Sequence, residues 1–341
     1  MKQWWRKLLW PLVPFYYIGA LFIKKMYDWN LFQSTTSRIP LICVGNISAG
    51  GTGKTPFVNY LNEYFQQNYT TAIISRGYGR SSKGFHWVNL QSTSDKVGDE
   101  PLQHKLNMPQ TLVAVDTERR NALHILETSE NCPEIAILDD AFQHRKVKAH
   151  INILLTTYHN LYTLDYPLPA GDLREPRSAA QRANIVIVTK CPEHLSETKQ
   201  EQIASKLKLS ENQQLFFTKI TYANYVFSSK EKRSLNTFIQ QDFTLVTGIA
   251  NPKPLVNFIN KQTTNYKHLI FKDHHNFSIK DIDKIAKSKV ILTTEKDFMR
   301  LKNEEKLRGK LFYLPIAITF LKNEELFQKH IRVSIEKIVH P

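Results

Sequence analysis

Residues 39–56 read IPLICVGNISAGGTGKTP, and the order of their residue types decides the fold. The apolar run at 39–44 predicts a buried strand, and the glycine-rich turn after it ends in Gly-Lys-Thr. Apolar residues then recur at helical spacing as far as Phe65, which predicts a helix directly after the turn. A strand, a glycine loop and a helix in this order define a P-loop, so the stretch predicts an α/β protein that binds phosphate.

The glycine-rich turn has the chemistry to hold the phosphates of a nucleotide, which we expect to be ATP with Mg²⁺. Glycines let backbone N–H groups point into one concavity, and the helix N-terminus adds positive potential. Lys54 is expected to reach the β- and γ-phosphates, and the Thr55 hydroxyl is expected to ligate Mg²⁺. The strict motif has glycine where this chain has Ser48, a departure that Gly50 and Gly51 can relax. The predicted nucleotide-binding residues are Ser48, Ala49, Gly50, Gly51, Thr52, Gly53, Lys54 and Thr55.

A second apolar run ends in two carboxylates. Residues 135–138 predict a buried strand, and Asp139 and Asp140 follow it directly. P-loop proteins hold the second side of Mg²⁺ with a carboxylate at the end of a neighbouring strand, so this pair is the predicted metal site. His144 follows in the same stretch, either as a site residue or as the cap of a turn.

The rest of the chain continues the alternation of strands and helices. Further strands are predicted at 71–74, 111–115, 151–155, 185–188, 243–246, 290–292 and 311–314. This spacing indicates a mostly parallel sheet flanked by helices. Polar clusters that follow these strands lie at 75–80, 97–101, 171–176, 247–252, 273–275 and 293–297. Ligands bind at the carboxyl ends of such strands, so we expect one site shared by two halves of the chain.

The N-terminal segment is apolar and aromatic, with basic residues on both sides. The sixteen residues at 8–23 carry no charge, and as a helix they span about 24 Å. That length is short of the roughly 30 Å thickness of a bilayer core. Tryptophans and lysines at both ends are typical of an anchor in the membrane interface, which is our expectation. The alternative is a helix that packs its apolar face on the rest of the protein.

The formal net charge of +15 calls for an anionic partner. An anionic membrane surface, a polyanionic substrate and nucleic acid are the candidates. The sequence has no zinc-finger, RNP-like or helix-turn-helix signature and its positive charge is scattered, so nucleic acid is not expected. Cys43, Cys132 and Cys191 have no CxxC spacing, which indicates thiols in a reducing compartment rather than a disulfide frame or a zinc site.

These motifs, in this order, resemble the tetraacyldisaccharide 4′-kinase family, the lipid A 4′-kinases of Gram-negative bacteria. The resemblance covers nearly the whole chain and includes the loop at 45–56 and Asp-Asp-Ala-Phe-Gln-His at 139–144. Ala141 stands where the family usually has glycine, and Phe298-Met299 stand where it commonly has smaller residues. Neither departure removes a polar side chain that the chemistry needs.

The resemblance implies transfer of the ATP γ-phosphate to the 4′-hydroxyl of a tetraacylated glucosamine disaccharide 1-phosphate, which forms lipid IVA in lipid A biosynthesis. It implies work at the anionic cytoplasmic face of the bacterial inner membrane, with no obligate protein partner. The implied organisation is an N-terminal membrane-interface helix at 1–30, a P-loop kinase core at 31–160, a linker at 161–177, a second smaller α/β domain at 178–310 and a C-terminal segment at 311–341 that packs back on the core.

The resemblance also assigns roles to single residues. It implies that Asp99 is the catalytic carboxylate, with His274 as its partner. The implied Mg²⁺ ligands are Asp139 and Asp140, with Glu175 and His144 as further candidates. Candidates for the phosphate of the substrate are Arg76, Arg80, Arg119 and Arg120, for which surface charges or ion pairs are the plainer interpretation.

The rival class is a different P-loop NTPase, such as a membrane-associated GTPase or a metal-insertion chaperone. A GTPase usually has Asn-Lys-x-Asp after a strand. Here the strand predicted at 185–188 is followed by Thr-Lys-Cys-Pro, which lacks the aspartate. A kinase needs its lipid acceptor for turnover, whereas an NTPase switch responds to a protein partner.

Overall fold

The structure, a computed structural model, describes residues 4–273 and 275–339. The strands are β1 (Thr35–Thr36), β2 (Leu41–Gly45), β3 (Thr71–Ser75), β4 (His86–Trp87), β5 (Leu112–Val115), β6 (Ile135–Asp139), β7 (Val147–Lys148), β8 (Ile151–Thr157), β9 (Ile185–Thr189), β10 (Gln214–Tyr222), β11 (Tyr225–Phe227), β12 (Lys232–Ser234), β13 (Phe243–Thr247), β14 (Tyr266–Ile270), β15 (Ile291–Thr294), β16 (Leu311–Leu314) and β17 (Ile316–Phe320). The helices are α1 (Val13–Asp28), α2 (Lys54–Phe65), α3 (Ser94–Val97), α4 (Asp99–Asn107), α5 (Arg119–Thr128), α6 (Glu197–Leu207), α7 (Leu235–Phe238), α8 (Lys253–Asn260), α9 (Ile279–Ala286), α10 (Glu295–Leu301) and α11 (Glu324–Val339).

Within the described residues, the larger sheet has nine strands in the order β17-β10-β9-β8-β2-β6-β3-β5-β4. The pairs from β10 to β5 are parallel, and β17 and β4 add antiparallel edges. Strand β2 is central, between β8 and β6. The glycine-rich turn after β2 and the aspartates after β6 therefore leave the same edge of the sheet on adjacent strands.

A smaller sheet has the order β12-β11-β16-β15-β13-β14. Its strands β14, β13, β15 and β16 are parallel, and β11 and β12 pair antiparallel. Helix α10 follows β15 of the smaller sheet and packs against α4, which covers one face of the larger sheet. This contact brings the two sheets together beside the edge where β6 ends.

Apolar layers cover both faces of the larger sheet. One face packs against α2, α4 and α11, whose buried residues include Phe57, Leu102 and Phe327. The other face packs against α5 and α6 through residues such as Leu126 and Leu207. The strands between the two layers are buried on both sides, which is why they read as continuous apolar runs in the sequence.

The fold prediction is confirmed as a mixed α/β architecture with mostly parallel sheets and flanking helices. The predicted apolar runs all form strands, namely β2, β3, β5, β6, β8, β9, β13, β15 and β16. The strands do not divide between the two sheets at the expected domain boundaries. Strands β9 and β10 lie in the range expected for the second domain (178–310), yet they pair in the larger sheet. Strand β16 lies in the range expected for the C-terminal segment (311–341), yet it pairs in the smaller sheet. Apolar runs identify strands, but only pairing decides which sheet a strand joins.

The N-terminal segment forms a 3₁₀ turn at Trp4–Leu12 followed by α1. Val13 is the buried residue of α1, while Phe15, Ile18 and Phe22 are exposed. Over the described part of the chain, the structure has no helix with the length and apolar character needed to cross a bilayer.

The packing of α11 generates a stability prediction. Phe327 is fully buried, with its ring centroid 4.8 Å from that of Phe320 and 5.9 Å from that of Phe57. Because Phe327→Ala leaves a cavity, we expect it to lower the free energy of unfolding by about 3–5 kcal/mol, measured by urea denaturation. Leu326→Ala changes an exposed neighbour and should have an effect within about 0.5 kcal/mol. Equal effects of the two substitutions would contradict the described packing.

Candidate active site

The glycine-rich loop joins the end of β2 to the start of α2. Its backbone bends sharply at Gly50 and Gly53, whose φ angles are 109° and 89°. Those angles lie in the region that L side chains avoid, which explains glycine at both positions. Gly53 precedes the first helical residue, Lys54, so the free N–H groups of the first turn of α2 face the loop. The result is a concavity lined by donors, which suits an anion.

Strand β9 supports this loop from the side. The Thr189 hydroxyl donates to the Thr52 carbonyl over 2.7 Å, and the Lys190 ammonium donates to the Gly51 carbonyl over 2.5 Å. Burial, and then the charge of Lys54, lower the pKa of Lys190. Thr189 and Lys190 lie in the stretch whose missing aspartate argues against a guanine site, and neither was predicted as a site residue.

Lys54 and Asp140 meet at the mouth of the loop. Nζ of Lys54 is 3.5 Å from Oδ1 of Asp140, which brings together two residues that the sequence analysis placed in one site. Arg174 also binds this carboxylate, with Nη2 at 3.0 Å from Oδ1 and Nη1 at 3.4 Å from Oδ2. Arg174 donates to the Asn46 side chain as well, and Asn46 in turn donates to the Thr52 hydroxyl over 2.8 Å. One network therefore joins the loop to the acidic pair.

Asp139 lies deeper than Asp140 and is fully buried. Its Oδ2 accepts a 3.1 Å hydrogen bond from Ser75 and lies 3.6 Å from Nε2 of the buried His104. Burial alone would raise the pKa of Asp139, but the nearby His104 and the charge of Lys54 outweigh burial and lower that pKa. The other oxygen, Oδ1, has no hydrogen-bond partner among the described residues. An ionised oxygen without a donor is available to a cation.

Two carboxylates of α4 face two cations of α10. Nε of Arg300 donates to Oδ2 of Asp99 over 2.8 Å, and a second guanidinium nitrogen donates to the same oxygen. Nζ of Lys296 is 3.8 Å from Oε1 of Glu100. These pairs join helices from the two sheets, which is the arrangement expected for a site shared by two halves of the chain. Glu100 and Lys296 lie in the polar clusters predicted at 97–101 and 293–297, although neither was assigned a role, and Arg300 lies outside every predicted cluster.

The pKa of Glu100 depends on its burial and on the charges of Asp139 and Asp140. Burial is the main cause that raises its pKa, and the negative charge of Asp139 adds to that rise. The cations Lys296 and Lys54 oppose the rise. Three carboxylates and two lysines therefore share one partly buried space, a typical arrangement for a site that binds charged ligands.

The remaining predicted metal residues have other partners. Glu175 pairs with Arg182, whose Nη2 is 3.0 Å from both carboxylate oxygens, and it also accepts from Gln143. His144 lies 3.3 Å from Oε1 of Glu118 and accepts from a backbone N–H. His274, the predicted partner of Asp99, lies outside the described residues.

The four predicted substrate arginines do not form one cluster. Arg119 is buried and donates to the Asp116 carbonyl over 2.8 Å, so its guanidinium is directed into the protein. Arg80 donates to the Gly84 carbonyl over 2.7 Å and holds its own loop. Arg76 and Arg120 are exposed, and Arg120 lines a separate cavity of about 430 Å³. The sequence alone offered no signal for these orientations, because they depend on long-range packing.

A metal site of three or more carboxylate, histidine or cysteine ligands is absent from the residues that the structure describes. This observation does not bear against Mg²⁺ with a nucleotide, because Mg²⁺ is commonly held by one or two carboxylates, water and phosphate oxygens. The unpartnered Oδ1 of Asp139 fits such a donor set. Asp140, which follows β6, and Thr55, the second residue of α2, offer further oxygen donors.

Fold and site together define a mixed α/β protein with mostly parallel sheets, in which a glycine-rich loop faces a pair of carboxylates. Comparison with known proteins narrows this class. The family model described as tetraacyldisaccharide-1-P 4′-kinase (LpxK) matches residues 5–336. This chain belongs to that family.

Relatives and a solved structure agree with this membership. A tetraacyldisaccharide 4′-kinase of Flavobacterium johnsoniae is 43% identical over 98% of this chain and 99% of its own length. One of Flavobacterium psychrophilum is 43% identical over 97% of each chain. The crystal structure of Aquifex aeolicus LpxK, an "apo" form in complex with ATP, has a TM-score of 0.77 and 26% identity over 97% of this chain and 99% of that one.

Glu295, the first residue of α10, generates a prediction about pH. Burial raises its pKa to about 7, although hydrogen bonds from Asn107 and Gln103 of α4 lower it. The folded protein then binds more protons than the unfolded chain between about pH 4.5 and 7, so this group removes stability as pH rises through that window. We expect Glu295→Gln to abolish that loss, about 3 kcal/mol in the free energy of unfolding above pH 7.

Urea denaturation at several pH values measures this effect. Glu211→Gln, which changes an exposed carboxylate far along the chain, is the matched control and should follow the wild type at every pH. If Glu295→Gln and the wild type lose stability in parallel between pH 4.5 and 7, the carboxyl does not titrate as its burial indicates.

Proposed function

We propose that this protein transfers the γ-phosphate of ATP to the 4′-hydroxyl of a tetraacylated glucosamine disaccharide 1-phosphate, the step that forms lipid IVA. The observation that carries the proposal is the pairing of Lys54 with Asp140 at the mouth of the glycine-rich loop. It places a cation and a carboxylate where a triphosphate and its metal are bound in P-loop proteins. The family membership supplies the acceptor.

The nucleotide side of the reaction uses the loop as a P-loop. The N–H groups of the loop and of the start of α2 that have no partner among the described residues surround the phosphates, and Lys54 neutralises charge on the β- and γ-phosphates. The N–H groups of Ala49 and Thr52 are not among them, because they donate to the carbonyls of Asp172 and Gly50. Thr55 with Asp139 and Asp140 would hold Mg²⁺. The metal would supply neutralisation of the phosphate oxygens when bound. These groups are fixed before the reaction, so positioning and charge stabilisation provide most of the rate.

The acceptor side uses Asp99 as the base. Arg300 holds its carboxylate from the opposite helix, at 2.8 Å from Nε to Oδ2, which fixes its orientation at the start of α4. In this role Asp99 takes the proton of the 4′-hydroxyl as that oxygen attacks the γ-phosphorus, the bond from the γ-phosphorus to the β–γ bridging oxygen breaks, and ADP leaves. His274 is the predicted partner of Asp99. The larger sheet then carries the nucleotide-binding loop and the base, and the smaller one carries Arg300, which orients the base.

The two sheets are proposed as the two units of the enzyme, with the acceptor between them. The contacts of α4 with α10 support this division, because they join the base to the smaller sheet. By sheet membership the smaller unit runs from β11 to β16, and β17 with α11 returns to the larger one.

The N-terminal segment is proposed to lie in the membrane interface on the cytoplasmic face of the inner membrane. Phe15, Ile18 and Phe22 follow one another at helical spacing and are 77%, 63% and 58% exposed. A helix that leaves such residues in water gains free energy by inserting them among acyl chains. The net charge of +15 favours an anionic surface, which is where the acylated substrate resides.

Lys54→Ala tests the nucleotide site. We expect phosphorylation of the disaccharide lipid to fall by at least about a thousandfold, because the phosphates lose their main cation, while the protein stays folded. The measurement is transfer of label from γ-labelled ATP to lipid, followed by chromatography of the product. Lys230→Ala, which removes an exposed lysine of the smaller unit, should keep wild-type turnover. Near-normal activity of Lys54→Ala would show that the site is elsewhere.

The triple variant Phe15→Ser, Ile18→Ser and Phe22→Ser tests the membrane segment. We expect its partition onto vesicles that contain phosphatidylglycerol to fall by about tenfold or more, because three exposed apolar side chains are lost. Cosedimentation with vesicles measures the partition. Ile270→Ser with Ile279→Ser, two side chains that are 67% and 77% exposed elsewhere, is the control. If both variants partition as the wild type does, the segment is not the anchor.

A further inference from the structure

Arg6 fastens the N-terminal segment to one short loop of the core. Its Nη1 donates to Oδ1 of Asp172 over 2.6 Å and its Nε donates to the Pro169 carbonyl over 3.0 Å. Its Nη2 donates to the Gly171 carbonyl. Three donors of one guanidinium thus enter the segment from 169 to 174, which we call the tether loop. A planar fork with three acceptors holds direction as well as distance.

The tether loop in turn holds the glycine-rich loop. The Ala49 N–H donates to the Asp172 carbonyl over 2.6 Å, and the Arg174 N–H donates to the Ile47 carbonyl over 2.7 Å. An antiparallel bridge between Ser48 and Leu173 lies between these two bonds. The backbone that carries Asp172 therefore runs directly beside the backbone that is proposed to bind phosphate.

The same residues reach the acidic pair. The Tyr16 hydroxyl of α1 donates to the Arg174 carbonyl over 2.9 Å, and the Arg174 side chain binds Asp140. The N-terminal segment thus contacts the tether loop at two places, and the tether loop contacts both sides of the nucleotide site.

The tether loop has little room to absorb a displacement. A Cβ added at Gly171 would lie 2.1 Å from the Tyr166 carbonyl oxygen, so the backbone is closely packed at the residue beside Asp172. Closely packed segments pass on a shift instead of relaxing around it.

We propose that Arg6 and Asp172 are positioning residues that couple the seating of the N-terminal segment on a lipid surface to the geometry of the phosphate-binding loop. The inference rests on the proposed function of that loop and of that segment. A lipid surface that holds the segment still also holds Asp172. Because the Ala49 N–H donates to the Asp172 carbonyl, the backbone of the glycine-rich loop is then ordered before nucleotide arrives. Ordering in advance lowers the entropic cost of binding, so nucleotide binds more tightly to the vesicle-bound protein.

The chain contains a second tether that serves as a matched control. Nη2 of Arg145 is 2.8 Å from Oδ1 of Asp28, and Nη1 donates to the Lys24 carbonyl over 3.1 Å. This tether holds the far end of α1 through a residue for which the structure describes no contact with the glycine-rich loop. Breaking it loosens α1 without touching the proposed path.

The experiment measures the affinity of the full chain for Mg²⁺ with a non-hydrolysable ATP analogue by calorimetry. Each protein is titrated with and without vesicles of phosphatidylglycerol and phosphatidylcholine. We expect vesicles to tighten the wild type by about fivefold or more, as usual for coupled sites. Arg6→Gln should reduce that ratio below about twofold, and Arg145→Gln should keep it.

A double-mutant cycle keeps the test independent of folding. Asp172→Asn should lower the coupling as Arg6→Gln does, and the double variant should show no further loss if both act through one contact. Thermal unfolding and vesicle cosedimentation confirm that each variant is folded and still binds lipid. A variant that loses coupling only because it leaves the vesicle would count against the inference.

The results separate this inference from the function it rests on. Wild-type affinity that is equal with and without vesicles, or coupling that persists in Arg6→Gln, overturns the tether while Lys54→Ala still tests the kinase. Equal loss of coupling in Arg145→Gln overturns it too, because the effect would then belong to α1 as a whole. Absence of nucleotide binding in every protein, vesicles or not, overturns both the tether and the proposed site.

Discussion

The site depends on keeping the Asp139 carboxylate ionised inside the protein. Asp139 is fully buried, and an uncompensated charge there would cost several kcal/mol. Ser75 donates a hydrogen bond to one of its oxygens, Nε2 of His104 lies 3.6 Å from the same oxygen, and the charge of Lys54 lowers its pKa further. Helices α2 and α4 pack on the same face of the larger sheet, and they bring Lys54 and His104, respectively, near this carboxylate.

The glycine-rich loop is held by more of the chain than its own sequence indicates. Thr189 and Lys190 at the end of β9 hold it on one side, and the segment around Asp172 holds it on the other. Thr189 and Lys190 donate to loop carbonyls, and the Asp172 carbonyl accepts from the N–H of Ala49. These contacts leave the N–H groups at the start of α2 facing the concavity. A loop fixed in this way has less conformational entropy to lose when an anion binds.

Prediction from the sequence succeeded where a residue acts close to its own motif. Lys54 and Asp140 meet as predicted because β2 and β6 are adjacent strands, and adjacent parallel strands bring the turns that follow them to one edge. His104, Lys190 and Arg300 were missed as site residues, since each comes from a distant element and no local pattern marks it. Arg174 lies in the predicted polar cluster at 171–176, but its contact with Asp140 depends on tertiary packing. Arg119 was predicted as a substrate residue because its positive charge suits a phosphate. Packing instead directs its guanidinium to the Asp116 carbonyl, which the residue type alone does not reveal.

Nine strands and the glycine-rich loop follow from local sequence, because apolar runs and glycine spacing record local backbone and burial requirements. The order of the motifs was enough for the resemblance to the family. The sequence also determined that an apolar N-terminal helix stands beside basic residues. Only the tertiary structure decided that β9 and β10 join the larger sheet, that α4 meets α10, and that Arg6 reaches the loop behind the phosphate site. Those outcomes depend on pairing and charge compensation between residues far apart in the chain, which a local pattern does not encode.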